Sequence, residues 1–130
     1  INVLKGSENE ISTIIGKKPR KNVLHRLQGL GPEIVLVTRG VRGTVVWSIY
    51  EGTLNVPAYA TTVRDPTGAG DAFIGAFLPT WVRTGDLIWS AAVGSAVASF
   101  VVEQFGAANF GRRRQIESRA QKISERTVRL

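Results

Sequence analysis

The sequence predicts an α/β domain with a largely parallel sheet. Short apolar runs of strand length alternate along the chain with segments of helical character. A chain of 130 residues with 43% hydrophobic side chains has enough apolar material for one domain and hardly enough for two. Strands that alternate with helices are typical of layered folds in which helices cover a parallel sheet.

The first part of the chain is predicted to contain a short apolar run and two helices. Residues 1–4 form a short apolar run, and residues 6–16 (GSENEISTIIG) look like a helix that ends at Gly16. A charged turn that contains Pro19 follows, and a second helix is expected over residues 22–30.

Three strands are expected next. Residues 34–38 (IVLVT) are short and apolar enough for a buried strand, and residues 44–50 (TVVWSIY) are also strand-like. Glu51 and Gly52 are expected to turn the chain, so that residues 53–60 return beside the preceding strand.

Two apolar segments in the second half are predicted to be helices. Residues 72–82 are apolar on every side, as expected for a helix in the core, and Pro79 is expected to kink or end that helix. Residues 87–102 (LIWSAAVGSAVASFVV) carry no charge. This segment is shorter than the roughly 20 apolar residues that a bilayer requires. We therefore expect a buried helix with Asp86 as its N-cap.

The basic charge is concentrated at the C-terminal end. The formal net charge is +7, and residues 112–130 contain seven Arg or Lys and two Glu. Ile116, Ala120 and Ile123 recur at helical spacing, which predicts a basic amphipathic helix whose charges face water. A nucleic-acid-binding module centred on this tail is an alternative, because clustered arginine attracts phosphate. No aromatic side chain lies between these arginines to stack on bases, which argues against that alternative.

The composition excludes several kinds of site. The chain has no cysteine, which excludes a disulfide framework and a thiolate metal site, and its single histidine, His25, leaves no histidine cluster. No basic-then-apolar leader precedes the first apolar run. We therefore expect a soluble, cytoplasmic protein.

A glycine-rich turn, residues 64–73 (RDPTGAGDAF), runs directly into an apolar segment. If a helix begins within residues 67–71, the N–H groups of its first turn have no preceding carbonyl partners and point outward. These donors, the helix dipole and the missing Cβ atoms of Gly68 and Gly70 favour a bound phosphoryl group. Asp71 would lie beside that group and could accept a proton from an attacking hydroxyl. A tight turn with Asp71 favouring the helix start explains the same residues equally well.

The stretch Asp65-Pro66-Thr67-Gly68-Ala69-Gly70-Asp71-Ala72-Phe73 resembles the D-T-x-G-A-G-D-x-F signature of the ribokinase-like, or PfkB, family of carbohydrate kinases. The resemblance implies a ribokinase-like three-layer α/β fold, of which this chain is only the C-terminal part. Residues 1–111 would be the nucleotide-binding portion, followed by the basic helix over residues 112–130. It also implies transfer of the γ-phosphate of ATP to a hydroxyl of a sugar or nucleoside.

The resemblance assigns roles to the residues of this turn. In the family, the loop forms an anion hole and its last aspartate is the catalytic base. By position, residues 68–70 would form the anion hole and Asp71 would be the base. Asp65 stands in a loop that binds a monovalent cation such as K⁺ in many members, and Pro66 replaces the threonine that is usual there.

Further stretches agree with the family in their order along the chain. Thr38-Arg39-Gly40-Val41-Arg42-Gly43 resembles the T-x-G-x-x-G turn that lines the nucleotide site, and a plain β-turn explains the same residues. Ser7-Glu8-Asn9-Glu10 aligns with the family's N-x-x-E motif, whose glutamate helps to organise magnesium. Ser7 replaces the asparagine, and Ser7 with Glu10 also reads as a capping box. Gly106 matches the loop beside the adenine and is expected to contact the nucleotide.

The resemblance corresponds to the latter part of a family member. The expected cofactors are ATP and Mg²⁺, with K⁺ at Asp65, and the expected partners are the nucleotide and a sugar or nucleoside. The residues that distinguish one substrate from another lie in the earlier half of such kinases. We therefore also expect self-association or pairing with a substrate-binding half. A non-catalytic nucleotide-binding or regulatory domain of the same fold is the alternative.

Overall fold

The structure is a computed structural model that describes residues 2–15, 29, 31–103 and 111–130. In chain order, its described elements are β1 (Val3–Ser7), α1 (Glu8–Ile15), β2 (Ile34–Thr38), a 3-10 turn (Gly40–Arg42), β3 (Thr44–Ser48), β4 (Gly52–Val56), α2 (Ala69–Thr84), α3 (Leu87–Val101), α4 (Arg113–Arg126) and β5 (Val128–Arg129). Apart from Gly29, the helix expected over residues 22–30 lies outside the described residues, as does Gly16.

The five described strands form one mixed sheet in the order β1-β2-β3-β4-β5. β1 pairs parallel with β2, with Val3 opposite Ile34 and Ser7 opposite Thr38. The other three pairings, β2 with β3, β3 with β4 and β4 with β5, are antiparallel. The α/β class is confirmed. The sequence predicted a largely parallel sheet, but among the described strands the parallel pairing is limited to β1 and β2. The connections from β2 to β3 and from β3 to β4 are too short for the crossover that parallel strands need.

The turn between β3 and β4 begins two residues earlier than the sequence suggests. Ser48 ends β3, and its hydroxyl accepts hydrogen bonds from the N–H groups of Tyr50 and Glu51 at 3.2 and 2.9 Å. A side-chain acceptor at this position competes with the strand ladder and so favours a turn. β4 then ends at Val56, and residues 57–65 continue without regular secondary structure.

Helices cover both faces of the sheet and so produce three layers. Ile34 and Leu36 of β2 pack in a core with α2, α3 and α4. Val35 and Val37, which alternate with them, pack on the opposite face with Ile11 of α1. Because successive strand residues point to opposite faces, β2 is buried on both sides.

Pro79 was expected to kink or end the helix. Helix α2 continues through Pro79, so an end at this proline is wrong, and a kink stays a prediction. Pro79 and Gly75 both lie on the exposed side of the helix. Water can therefore bond to the Gly75 carbonyl, which loses its N–H partner at the proline. The helix is also not buried on every side, because its buried residues share one side: Phe73, Phe77 and Thr80.

Helix α3 is buried, as predicted from its composition. Asp86 is the N-cap, and its carboxylate accepts a hydrogen bond from the N–H of Trp89 at 2.9 Å. Gly94 allows close contact with α2, since a Cβ there would lie 2.9 Å from the carbonyl oxygen of Phe73. Among the described helices, none combines the length and the apolar character that a membrane span requires.

The basic C-terminal segment packs onto the same core. Ala120 and Ile123 of α4 are buried there, and Ile116 packs beside them, as the helical spacing predicted. After α4, β5 pairs antiparallel with β4 and forms one edge of the sheet. Two residues are too few for a periodic pattern, so the sequence does not predict this strand.

Candidate functional site

A cleft of about 1010 Å³ lies at the carboxyl ends of β1 and β2. Its walls include residues 7–10 at the start of α1, residues 38–44 between β2 and β3, residues 58–61 after β4, and residues 68–71 at the start of α2. In α/β folds, ligands bind at the carboxyl ends of the strands. The cleft therefore brings together three of the sequence motifs that lie far apart along the chain.

The start of α2 forms one wall of this cleft. Gly68 is the N-cap and has φ +83°, a left-handed conformation that favours glycine, and the helix begins at Ala69, within the predicted range. The N–H of Ala69 donates to the carbonyl of Pro66 at 3.2 Å. The N–H groups of Gly70 and Asp71 have no hydrogen-bond partner among the described residues. They are the outward-pointing donors that a helix N-terminus offers to an anion.

Lys5 of β1 lies against this helix start and was not singled out in the sequence. A Cβ built on Gly70 would be 2.5 Å from Nζ of Lys5 and 3.2 Å from its Cε. Lys5 also lines the cleft. No hydrogen bond or ion pair joins its ammonium group to another residue in the part of the chain that the structure describes, although its charge acts on Glu10. A positive charge therefore stands beside two backbone donors.

The two aspartates of the glycine-rich turn occupy different positions. Asp71 lines the cleft, in the first turn of α2. The Asp65 carboxylate accepts a hydrogen bond from the N–H of Thr67 at 2.9 Å, and hydrogen bonds from the side chain and backbone of Thr67 lower the pKa of Asp65. Asp65 is not among the residues that line the cleft, and its own N–H donates to the carbonyl of Val102 at 3.1 Å.

Ser7 and Glu10 form the predicted capping box at the start of α1. The N–H of Ser7 donates to the Glu10 carboxylate at 2.9 Å, and the N–H of Glu10 donates to the Ser7 hydroxyl at 3.1 Å. These hydrogen bonds lower the pKa of Glu10, and the charge of Lys5 lowers it further. Glu10 also lines the cleft, so the capping role is compatible with a metal-linked role.

The described residues of the cleft limit how a magnesium ion can bind there. The described residues contain no group of three or more His, Cys, Asp or Glu side chains that could hold a metal ion. Magnesium commonly keeps several waters and binds through one or two carboxylates together with substrate phosphates. The residues present therefore fit a metal that arrives with a nucleotide, with Glu10 as a nearby carboxylate.

The turn between β2 and β3 forms another wall of the cleft. Thr38, Gly40 and Gly43 all line the cleft. Gly43 has φ +85°, and a Cβ there would overlap the carbonyl oxygen of Val56. The turn needs glycine for its own geometry, so a structural role and a nucleotide-lining role are both compatible with it. Gly106, expected beside the adenine, lies outside the described residues.

Two arginines hold this turn in place. The guanidinium of Arg39 donates to the carbonyl of Arg42 at 3.0 Å and to the side-chain oxygen of Asn55 in β4 at 2.6 Å. Arg42 forms an ion pair with Glu8, the first residue of α1. This ion pair joins two walls of the cleft, so the turn and the start of α1 are connected across its rim.

Comparisons with known proteins agree with this arrangement. A family model described as pfkB family carbohydrate kinase matches residues 1–113. The nucleoside kinase of Methanothermobacter thermautotrophicus is 35% identical over 104 residues, which are 80% of this chain and 32% of that protein. Arabidopsis thaliana ribokinase, solved with ribose and ATP, superposes with a TM-score of 0.81 at 26% identity over 93% of this chain and 41% of that chain. An E. coli protein described as a ribokinase II, solved with ATP and Mg²⁺, gives a TM-score of 0.82 at 25% identity over 93% and 39% of the two chains.

These matches differ in how much of each relative they cover. The chain spans about a third of the length of the nucleoside kinase and about two-fifths of each of the two solved kinase chains. The family match contains the starts of α1 and α2 and the turn after β2, and it ends at the first residue of α4. It covers more than half of the chain, and the solved relatives share its ribokinase-like α/β fold. The chain therefore belongs to the pfkB family of carbohydrate kinases.

Proposed function

We propose that this chain is the nucleotide-binding part of an ATP-dependent kinase that transfers the γ-phosphoryl group of ATP to a hydroxyl of a sugar or nucleoside. The observation that carries the proposal is the start of α2. There, the N–H groups of Gly70 and Asp71 have no partner among the described residues, the ammonium group of Lys5 lies against Gly70, and Asp71 lines the same cleft. The relatives support the substrate class, since one is a nucleoside kinase and another was solved with ribose and ATP.

The first part of the proposed mechanism is stabilisation of the transferred group. During phosphoryl transfer, negative charge spreads over three oxygens, so a protein contributes mainly through positioning and electrostatics. Residues 68–70 form the anion hole, in which the N–H of Gly70, together with that of Asp71, donates to the phosphoryl oxygens without interference from a side chain at Gly70. Lys5 adds a full positive charge at the same place.

The second part of the mechanism is proton removal by Asp71. Its carboxylate accepts the proton of the substrate hydroxyl while that oxygen forms a bond to the γ-phosphorus. The bond between the γ-phosphorus and the bridging oxygen breaks, and ADP leaves with the electron pair. General base catalysis by a positioned carboxylate typically accelerates such a step by about 10²–10⁴-fold.

The remaining cleft residues are proposed to bind the nucleotide. Thr38, Gly40 and Gly43 line the wall that receives it, and Gly106 is proposed as a further contact. When bound, Mg²⁺ would neutralise phosphate charge, and Glu10, which lines the cleft, is proposed to orient its waters. A K⁺ site at Asp65 stays a prediction.

A second candidate function is nucleotide binding without phosphoryl transfer. It needs only the cleft residues proposed to bind the nucleotide, Thr38, Gly40 and Gly43, and makes no use of Asp71 as a base. Phosphoryl transfer requires a substrate hydroxyl held in line with the phosphate, and positioning supplies much of the rate. We propose pairing with a substrate-binding half, or with a second copy of the chain, as a source of residues that hold the substrate hydroxyl in line.

The test begins with calorimetric titration of the chain with ATP and Mg²⁺. We expect saturable binding, and its absence would overturn both candidate functions. Phosphate transfer is then measured on a panel of sugars and nucleosides with the wild type and Asp71→Asn. We expect Asp71→Asn to bind ATP normally and to transfer about 10²–10⁴-fold more slowly. Equal rates would remove Asp71 as the base, and ATP binding without transfer to any substrate would favour the second candidate.

A further inference from the structure

One arginine of the basic C-terminal helix faces the interior. The side chain of Arg119 is 19% exposed, whereas that of Arg113 on the same helix is 91% exposed. The guanidinium carbon of Arg119 lies 3.7 Å from the ring centroid of Phe100 and 4.5 Å from that of Tyr59. Arginine is suited to this position because its planar group stacks on aromatic rings while its N–H groups donate in the plane.

The same guanidinium makes charged contacts at the end of α3. Its Nη1 donates to the hydroxyl of Ser99 at 2.8 Å and to the carboxylate of Glu103 at 2.6 Å. The Thr61 hydroxyl donates to the same Glu103 oxygen at 2.5 Å. Glu103 therefore connects Arg119 on α4 with Thr61 in the segment that follows β4. Because Arg119 and Glu103 are both largely buried, the loss of either would leave the other poorly solvated.

Residues 57–65, which we name the wall segment, depend on α3 and Glu103 for their position. This segment has no regular secondary structure. At one end, the Ser95 hydroxyl donates to the carbonyl of Pro57 at 3.0 Å. At the other end, the N–H groups of Arg64 and Asp65 donate to the carbonyl of Val102 at 2.7 and 3.1 Å. The hydrogen bond from Thr61 to Glu103 lies between these two attachments.

The wall segment is also part of the cleft. Residues 58–61 and Val63 line it, and the segment continues directly into the glycine-rich turn. A shift of the wall segment would therefore change the width of the cleft and the approach to the anion hole.

We propose that Arg119 is a positioning residue for the nucleotide cleft. It holds the wall segment in place through its contacts with Glu103 and Tyr59. The expected effect on ATP binding rests on the proposed function, whereas the contacts of Arg119 do not depend on it. Arg119 lies beyond the region that the family model matches, which ends at residue 113. The positioning role therefore belongs to the basic helix α4, to which the proposed function assigns no other role.

The experiment compares ATP binding, thermal stability and hydrogen exchange in matched variants. Arg119→Met keeps the aliphatic stem and removes the charge, Arg119→Lys keeps the charge without the planar group, and Arg113→Met is the control on the exposed side of the same helix. We expect Arg119→Met to raise the Kd for ATP with Mg²⁺ about tenfold, the effect of about 1.4 kcal/mol. Arg119→Lys should restore part of the affinity, and Arg113→Met should equal the wild type.

A double-mutant cycle separates positioning from a general loss of stability. Thr61→Val breaks the connection to the wall segment and leaves the contact between Arg119 and Glu103 in place. We expect Thr61→Val to raise the Kd, and Arg119→Met to add less in combination with it than it does alone, because the two changes share the route through Glu103 while the contact of Arg119 with Tyr59 is separate. If Arg119→Met does not fold, the same cycle is measured with Arg119→Lys. Additive effects on the Kd would overturn the inference.

Hydrogen exchange gives a readout that does not depend on the proposed function. The amides of Arg64 and Asp65 should lose protection in Arg119→Met at temperatures where the variant is folded. A lower melting temperature with unchanged Kd and unchanged protection would show a merely structural role and overturn the inference alone. Failure of the wild type to bind ATP would instead overturn the proposed function, and with it the effect assigned to Arg119.

Discussion

At the scale of single residues, the fold brings the charge of Lys5 next to Gly70, although the two residues are far apart in the sequence. The glycine-rich turn lacks the lysine that follows the glycines of a P-loop. In the structure, a lysine from β1, 65 positions earlier in the printed sequence, lies against Gly70. No spacing rule connects these residues, because their contact depends on how α2 packs against the end of β1.

Replacement of Lys5 by methionine tests its proposed role directly. We expect Lys5→Met to fold and to reduce phosphoryl transfer by about 10²–10³-fold, the typical effect of losing one preorganised donor at a developing charge. Steady-state kinetics and calorimetry with ATP measure the effect, and Lys122→Met, which removes an exposed lysine of α4, is the control. Equal losses in both variants would show that only the overall positive charge matters.

Gly70→Ala offers an independent route to the same group. The added methyl would meet the flexible end of Lys5 rather than backbone, so the fold should tolerate it while the ammonium group moves away. We expect weaker ATP binding that does not add to the effect of Lys5→Met, because both changes remove the same charge from the anion hole. Additive losses would mean that the methyl group obstructs the phosphate by itself.

At the scale of elements, local chemistry predicts where helices start better than how strands pair. The capping box of Ser7 and Glu10, the N-cap at Asp86 and the helix start at Ala69 all follow from residues close together in sequence. The antiparallel pairings and β5 depend on the lengths of the connections and on the edge of the sheet. The periodicity of apolar residues carries no information about either. The path of α2 through Pro79 depends on which side of the helix faces water.

The turn between β2 and β3 should be sensitive to its second glycine. Gly43 and Gly52 both have positive φ, but a Cβ overlaps the Val56 carbonyl at Gly43 and meets nothing within 4 Å at Gly52. Gly52→Ala should therefore cost about 1–2 kcal/mol from backbone strain alone. Gly43→Ala should cost more, because Val56 must also move. Urea unfolding of the two variants measures the difference, and equal costs would show that the turn adjusts freely.

At the scale of the whole molecule, the sequence predicts the apolar face of α4 but not the use of its charges. Ile116, Ala120 and Ile123 follow a helical period, so their burial could be expected. Arg119 lies beside Ala120 in the same basic run as exposed arginines, and its burial is decided by Phe100 and Tyr59 from other elements. Contacts between distant segments thus determine which charge of the tail is structural.

The connection through Glu103 predicts how the stability of the domain depends on pH. Burial raises the pKa of Glu103, but hydrogen bonds from Thr61 and Arg119 and the charge of Arg119 outweigh it, so the pKa in the folded state lies below the usual value for glutamate. A carboxyl group with a depressed pKa adds stability above its unfolded pKa, and this contribution is lost as the pH falls through the folded value.

Comparison with Glu103→Gln isolates this contribution from other acids, since the pKa values of Glu10 and Asp65 are lowered as well. At neutral pH, urea unfolding should show the wild type to be more stable than Glu103→Gln. The difference should stay constant down to the unfolded pKa of glutamate, about 4.3, and shrink below it as the carboxylate becomes protonated. Protonation neutralises Glu103 in the wild type, whereas glutamine is neutral throughout. A difference that persists unchanged into acid would mean that size and hydrogen bonding at this position, rather than charge, hold α4 to the wall segment.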